Sequence, residues 1–300
     1  MTDGLVGGVL PATELGAVVG WGATSTVYRL KKGGVAKVFS PDMPPDRVEL
    51  ERRRLLAVAG AGVDTPPCEG AVARLPDGRR ALRMREGRSA INARSRLHRA
   101  PWHARALMRG MADCLLALHA VAPPAGLQSM RESAAGKLVE CSHFTLAQRR
   151  RTLDVLAGLG ETAQGQVLCH GNYQIGNVLW HPDGCQAISW ANAAVAEPAA
   201  DLARAYVILR FRRAGFFGRR GNALLAGMLV DEYLSRCGSR DAVASRLPGW
   251  ILVHAVGRAG EQISRSQRKA LVRHALRLMD GLEPEAGTQG RGGGDARAQV

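Results

Sequence analysis

A chain of 300 residues with 46% hydrophobic content can bury a large core, which excludes overall disorder and suits one bilobal domain or two intimate ones. Its 41 Lys and Arg against 26 Asp and Glu leave a formal charge of +15, a body that attracts anionic partners and repels cationic ones. No helix-turn-helix, zinc-finger or aromatic RNA-binding signature accompanies that charge, so nucleic acid is disfavoured as a partner. No apolar run approaches a membrane span and no basic stretch precedes an apolar one from Met1 to Val6, so a soluble, cytoplasmic protein without a transmembrane segment is expected. The six cysteines are scattered, without C-x-x-C spacing, and read as free thiols.

From about Leu15 to Arg85, β-like runs alternate with glycine turns: Ala17 to Gly20, Ser25 to Lys31, Val35 to Ser40, Gly70 to Leu75 and Arg79 to Met84. One helix interrupts them, starting after Pro44-Pro45 and ending at Ala59 before Gly60 and Gly62. The segment Gly20-Trp21-Gly22-Ala23-Thr24-Ser25 either lets backbone amides approach a phosphate or is a plain hairpin turn. After Gly87 the pattern turns helical. Trp102, Leu107, Met111, Leu115 and Leu118 recur at helical spacing up to His119, and Thr145-Leu146-Ala147-Gln148 reads as a capping box for a helix to about Leu159. Further helices are expected over 198–213, 221–236, 249–263 and 267–280. The boundaries implied are an N-terminal lobe at 1–86, a helical lobe at 87–282 and a flexible tail at 283–300.

The most specific stretch is Cys169-His170-Gly171-Asn172-Tyr173-Gln174-Ile175-Gly176-Asn177-Val178-Leu179-Trp180, followed by Ile188-Ser189-Trp190 and then Asp201-Leu202-Ala203-Arg204. It resembles the catalytic core of the aminoglycoside phosphotransferase family, a branch of the protein-kinase-like fold, whose pattern is His-Gly-Asp, four residues, Asn, then Asp-Trp. The resemblance implies an α+β, bilobal protein-kinase-like fold: a small N-terminal β-sheet lobe with one helix, a larger mostly helical C-terminal lobe, and a nucleotide in the cleft between them.

The resemblance also assigns roles. Gly20, Gly22 and Ser25 stand in the glycine-rich loop, with Ser25 in place of its third glycine, and Lys37 is the strand lysine that contacts nucleotide phosphates. Glu51 is its expected helix partner, with Glu49 the fallback. Met84 to Glu86 is the hinge that meets the adenine. His170 and Asp201 fix the catalytic loop, and Asn177 is a neutral metal ligand.

Both acidic positions are replaced. Asn172 stands at the catalytic aspartate and Ser189, 17 residues later, at the magnesium-binding one. An amide still accepts a hydrogen bond but offers no carboxylate, and loss of a general base costs about 10²- to 10⁴-fold. Magnesium prefers hard, charged oxygens, so a serine hydroxyl is a poor substitute. Asp183, in the His181-Pro182-Asp183-Gly184 turn, reads as a turn residue rather than a displaced ligand. Two readings stay open. The preferred one is a pseudokinase that binds ATP or another nucleotide, with magnesium doubtful, and acts through a partner. The alternative is an ATP-dependent phosphotransferase acting on a small-molecule or glycolipid hydroxyl. An active parent inactivated by design would explain Asn172 but not Ser189.

Arginine in the helical lobe argues against a polycationic aminoglycoside as acceptor. The segment Arg210 to Arg220, five arginines interleaved with three phenylalanines, points either to an acidic protein, anionic small molecule or anionic lipid surface, or to an ordinary helix end with solvated arginines. Trp21 is bulky enough to fill the nucleotide space.

Overall fold

The computed structural model describes residues 8–22, 24–89, 91–160, 165–213 and 216–281. Ala23 of the glycine-rich segment, Ala214 and Gly215 of the arginine-phenylalanine segment, and the tail at 283–300 lie outside the described residues.

Five strands, β1 (Leu15–Trp21), β2 (Ser25–Leu30), β3 (Val35–Phe39), β4 (Cys68–Arg74) and β5 (Arg80–Met84), form an antiparallel sheet in the order β1-β2-β3-β5-β4. Strand alternation splits β3 between two environments, because successive side chains point to opposite faces. Ala36 and Val38 join Leu30, Ala73 and Ala81 in a small core on one face, while Phe39 joins the main core on the other. Lys37 shares that second face. Helix α1 (Pro45–Gly60) starts with proline at its first turn, where a missing N–H costs nothing, and buries Val48, Glu51, Leu55 and Val58.

The remainder is mostly helical: α2 (Ala93–Arg99), α3 (Ala104–His119), α4 (Met130–Glu140), α5 (Leu146–Gly158), then short strands β6 (Val167–Cys169), β7 (Val178–His181), β8 (Gly184–Ala187) and β9 (Ala194–Ala196), then α6 (Pro198–Arg210), α7 (Phe216–Leu234), α8 (Arg240–Ala259) and α9 (Arg265–Gly281). The hairpin β7–β8 turns at Pro182-Asp183, with β6 paired to β9 in a second small ladder. Almost every residue of α6 from Pro198 to Leu209 is buried, the signature of a central core helix. It packs against α7 and α8.

The five strands, α1 and the α5 capping box, in which Thr145 and Gln148 bond each other's backbone, follow the sequence pattern closely. Other bounds shift. The helix expected over 198–213 ends at Arg210, and the one expected from 221 begins at Phe216. The helix expected from 249 begins at Arg240 and carries Pro248 inside it. Proline usually marks a boundary because it lacks a donor and crowds the carbonyl four residues back. Here burial of Val243 and Leu247 carries the helix across it. Helices α2 and α4 were not legible as periodic runs. Each is short and starts from a side-chain cap, Asn92 accepting from the Ser95 amide at 2.8 Å and Ser129 from the Glu132 amide at 3.3 Å.

Candidate functional site

Between the sheet and the helical part lies a cavity of about 170 Å3, and its lining includes Gly20, Gly22, Ser25, Lys37, Glu51, Met84, Glu86, Asn177 and Ser189. Residues separated by as much as 169 positions in sequence are thus brought to one cleft. It is narrower than the roughly 300–1,000 Å3 common for ligand pockets. Trp21 does not fill it. Its side chain stands at the rim, 76% exposed, because the β1–β2 hairpin turns its indole outward.

Lys37 donates to Glu51 of α1, and its ammonium also sits 5.1 Å from the Phe39 ring. Glu49, two residues earlier and so on nearly the opposite side of α1, is held instead by Arg52 at 2.9 Å. At the other end of the cleft Glu86 accepts from Arg29 at 2.6 Å. These are the two carboxylates among the described lining residues, and both face a cation already. Gly87 follows directly. A Cβ there would meet the Leu179 Cδ1 at 2.2 Å, so any side chain at this passage would have to displace the end of Leu179.

The loop after β6 is built around a buried acid. Asp201, at the first turn of α6, accepts the backbone N–H groups of His170 at 2.7 Å and Gly171 at 2.9 Å, and meets His119 at 3.4 Å. Burial alone would raise the Asp201 carboxyl, but the His119 bond and the nearby His119, His170 and Gly171 groups hold it below the usual carboxylate range. Gly171 has φ +72, and a Cβ would lie 2.1 Å from the Asn192 carbonyl oxygen. Arg204 of α6 then donates to the Gly171 carbonyl at 2.9 Å.

His170 is fully buried and does not line the cleft. Its Nε2–H donates to the Ile188 carbonyl at 3.0 Å while Nδ1 accepts the Asn172 amide at 3.2 Å, an assignment of the neutral tautomer that the hydrogen-bond network fixes. Burial lowers its basicity in the same direction. Its ring lies against Trp190 and Tyr173, at centroid distances of 4.6 and 5.6 Å. This histidine therefore positions the loop rather than touching a ligand.

Asn172 lies just outside the cavity lining, and its side-chain amide makes no hydrogen bond among the described residues. The Asn177 amide nitrogen donates to the Asn172 carbonyl at 2.9 Å, which leaves the Asn177 amide oxygen as its acceptor. Ser189 is half-buried on the cavity wall and has φ +73, the one non-glycine positive φ among the described residues. Asp183 is exposed, tied to His181 at 3.2 Å in the β7–β8 turn, and lies off the cavity.

The donor chemistry suits a nucleotide's phosphates better than a divalent cation. Lys37 and the β1–β2 hairpin can receive anionic oxygens, and backbone groups at Met84 to Glu86 border the far end. A magnesium ion would find two neutral oxygens, from Asn177 and Ser189, and two carboxylates already paired with Lys37 and Arg29. Hard cations require charged oxygens, so this set does not fit magnesium. Elsewhere the ligand atoms of His119, Cys169 and Asp201 lie within 4.8 Å of one another. That trio belongs to the loop scaffold: burial keeps the Cys169 thiol well above its usual range, and Asp201 is filled by amides.

Four contacts at this site have no signature in the sequence. Arg29 closes on Glu86 across the sheet. Thr65, which precedes β4, donates to the Ala187 carbonyl at 2.9 Å and accepts from the Trp190 indole at 2.8 Å. Arg54 of α1 donates to the Ala191 carbonyl, just past Ser189. Each joins residues more than fifty positions apart, and nothing local marks such a pair.

Comparison with known proteins agrees with this geometry. No curated protein sequence matches the chain. Among solved structures, a thermostable mutant of aminoglycoside phosphotransferase APH(4)-Ia, in ternary complex with ADP and hygromycin B, superposes with TM-score 0.65 at 12% identity, covering 91% of this chain and 94% of that one. The amicoumacin kinase hAmiN, in complex with AMP-PNP, Ca2+ and Ami, gives TM-score 0.60 at 14% identity, over 93% of this chain and 91% of that one. A choline/ethanolamine kinase family protein from Mesorhizobium loti also gives 0.60, at 17% identity over 90% of each chain. At such identities these likenesses speak for the kinase-like fold. The sequence match to the phosphotransferase enzyme family, APH, runs over residues 16–237, from the first strand through the loop around Asp201 and into the helices beyond, and so the chain belongs to that family.

Proposed function

We propose that the chain binds a nucleotide in the cleft without a carboxylate-held magnesium ion, that phosphoryl transfer is impaired or absent, and that the protein works as a pseudokinase through a partner. The observation that carries this reading is the state of the two cleft carboxylates: Glu51 is paired with Lys37 and Glu86 with Arg29, while Asn172 and Ser189 occupy the positions that the resemblance assigns to acids. In this reading Lys37 receives the phosphates, Glu51 orients Lys37, the hairpin through Gly20, Gly22 and Ser25 covers them, and Met84 to Glu86 borders the base. The lobes meet at Glu86–Gly87. Asn177 and Ser189 offer only neutral oxygens, and Asn172 orients without taking a proton.

The intact Lys37–Glu51 pair also favours a second reading. A slow ATP-dependent phosphotransferase acting on a small-molecule or glycolipid hydroxyl would need that pair for the same reason.

Calorimetric titration of ATP with and without magnesium, beside Lys37→Ala, tests the proposal. The expected result is binding that Lys37→Ala abolishes and that magnesium does not strengthen. Magnesium-enhanced binding together with acceptor-dependent ADP release would overturn it in favour of the enzyme. In that case Asn172→Asp with Ser189→Asp should raise the rate further, since each restores a charged oxygen.

A further inference from the structure

The segment from Arg210 to Arg220 does not stand alone in three dimensions. The end of α6, the first turns of α7 and one face of α9 enclose a cavity of about 700 Å3, into whose lining come Arg210, Arg212, Arg219, Arg220, Arg273 and Arg277. Among the described residues that line it there is no Asp or Glu. Four of these arginines come from one sequence segment and two from a helix more than fifty residues later, so the fold itself gathers them.

Crowding six guanidinium groups is unfavourable by mutual repulsion unless something offsets it. Burial and the adjacent Arg210 and Arg277 push the His274 imidazole down to about 4, and burial with Arg94 lowers Arg212. Buried donors are usually satisfied. Here the Nε of Arg210 and the Nε2 of His274 are buried without a hydrogen-bond partner among the described residues. Guanidinium donors gathered with no carboxylate among the described lining residues are the chemistry that recognises clustered phosphates, since each guanidinium offers two parallel donors to one phosphate. The concave shape and volume suit a small multiply charged group.

We propose that this basin binds a ligand carrying two or more phosphate groups. The inference is independent of the nucleotide cleft, since no residue is shared between the two cavities. A free polyphosphorylated molecule and a polyphosphorylated lipid headgroup present the same chemistry. Two probes separate them: inorganic tripolyphosphate by calorimetry at constant ionic strength, and phosphatidylcholine vesicles with and without phosphatidylinositol bisphosphate by co-sedimentation. Each is run with the full chain, with Arg210→Gln/Arg277→Gln, and with Lys37→Ala.

Saturable tripolyphosphate binding that weakens about tenfold or more in the arginine variant, and is unchanged in Lys37→Ala, assigns a free ligand to the basin. Arginine-dependent sedimentation with the bisphosphate vesicles, without tripolyphosphate binding, assigns a headgroup. No binding of either probe, or binding indifferent to the arginine variant, overturns the proposal. Should that variant fail to fold, phenylglyoxal labelling of the unaltered protein decides. Tripolyphosphate or the vesicles should then protect Arg210, Arg212 and Arg273, and protection confined to Arg29 and Arg85 at the nucleotide cleft would rule the basin out.

Discussion

Ser189 carries a backbone constraint that its side chain does nothing to relieve. At φ +73 it occupies the left-handed region, where Cβ crowds the following carbonyl, and its hydroxyl makes no hydrogen bond among the described residues. Asn and Asp enter that region far more readily, because their short polar side chains bond locally. The backbone here therefore has the shape that suits an aspartate, the residue the resemblance expects at this position. Ser189→Asn is expected to stabilise the protein by about 1 kcal/mol, and Ser189→Ala is not. Urea unfolding of the two variants checks this, and equal midpoints would mean that the strain is spread over neighbouring residues. His170 illustrates the opposite case. The resemblance implied a residue that fixes the loop, and complete burial with two backbone hydrogen bonds gives it the contacts of such a support.

The elements that frame the cleft are joined by a few polar contacts as well as by the shared core. Thr65, in the link between α1 and β4, is buried and bonds both the end of β8 and the Trp190 indole. Arg54 ties α1 to the segment just beyond Ser189. Burial, followed by repulsion from Arg47, lowers the basicity of Arg54, so its carbonyl bond forms in a partly desolvated setting. Thr65→Val keeps the shape but orphans a buried carbonyl and a buried indole N–H. The expected loss is about 1–3 kcal/mol in urea unfolding. A change no greater than that of a surface substitution would show that water takes over both bonds and that the link is not held by Thr65.

Across the chain, acid stability should be governed by histidines held neutral by burial, His170 and His254 buried and His274 half-buried. Burial is the leading cause at each: it pushes His254 down to about 3 and His274 to about 4, and it lowers His170. Each folded value lies below that of the free side chain, 6.5, so the unfolded chain takes up the protons first. The stability these groups contribute is complete above about pH 6.5 and falls as pH drops toward the folded values. For His254, fully buried with Nε2–H donating to the Ala200 carbonyl at 3.0 Å, the expected loss between pH 7 and pH 5 is about 2 kcal/mol. His254→Gln keeps a donor without the titration, so its unfolding free energy should change less over that range. A slope identical to that of the unaltered chain would place the acid sensitivity elsewhere. No helix among the described residues is long and apolar enough to cross a membrane.

Much of this architecture follows from local rules. Period-two runs between glycines gave the five strands of the sheet, Pro44-Pro45 gave the start of α1, and the spacing from His170 to Trp190 carried the family, because these signals are written within a few residues of one another. The lysine was legible as a strand residue and Glu51 as a helix residue. Their meeting was implied by the resemblance alone, since no local pattern says how α1 lies against β3. Neither the pattern nor the resemblance marks Arg29 with Glu86, or Thr65 with Trp190. Helices α2 and α4 carry no legible period because short capped helices have too few turns to show one. The sequence by itself determined the kinase-like elements and placed Asn172 and Ser189 where the resemblance expects acids. Only the tertiary structure decided that the cleft carboxylates are taken by cations, and that five arginines from three helices and Arg212 from the link after α6 converge on one basin, because charge pairing and crowding depend on distances that chain order does not contain.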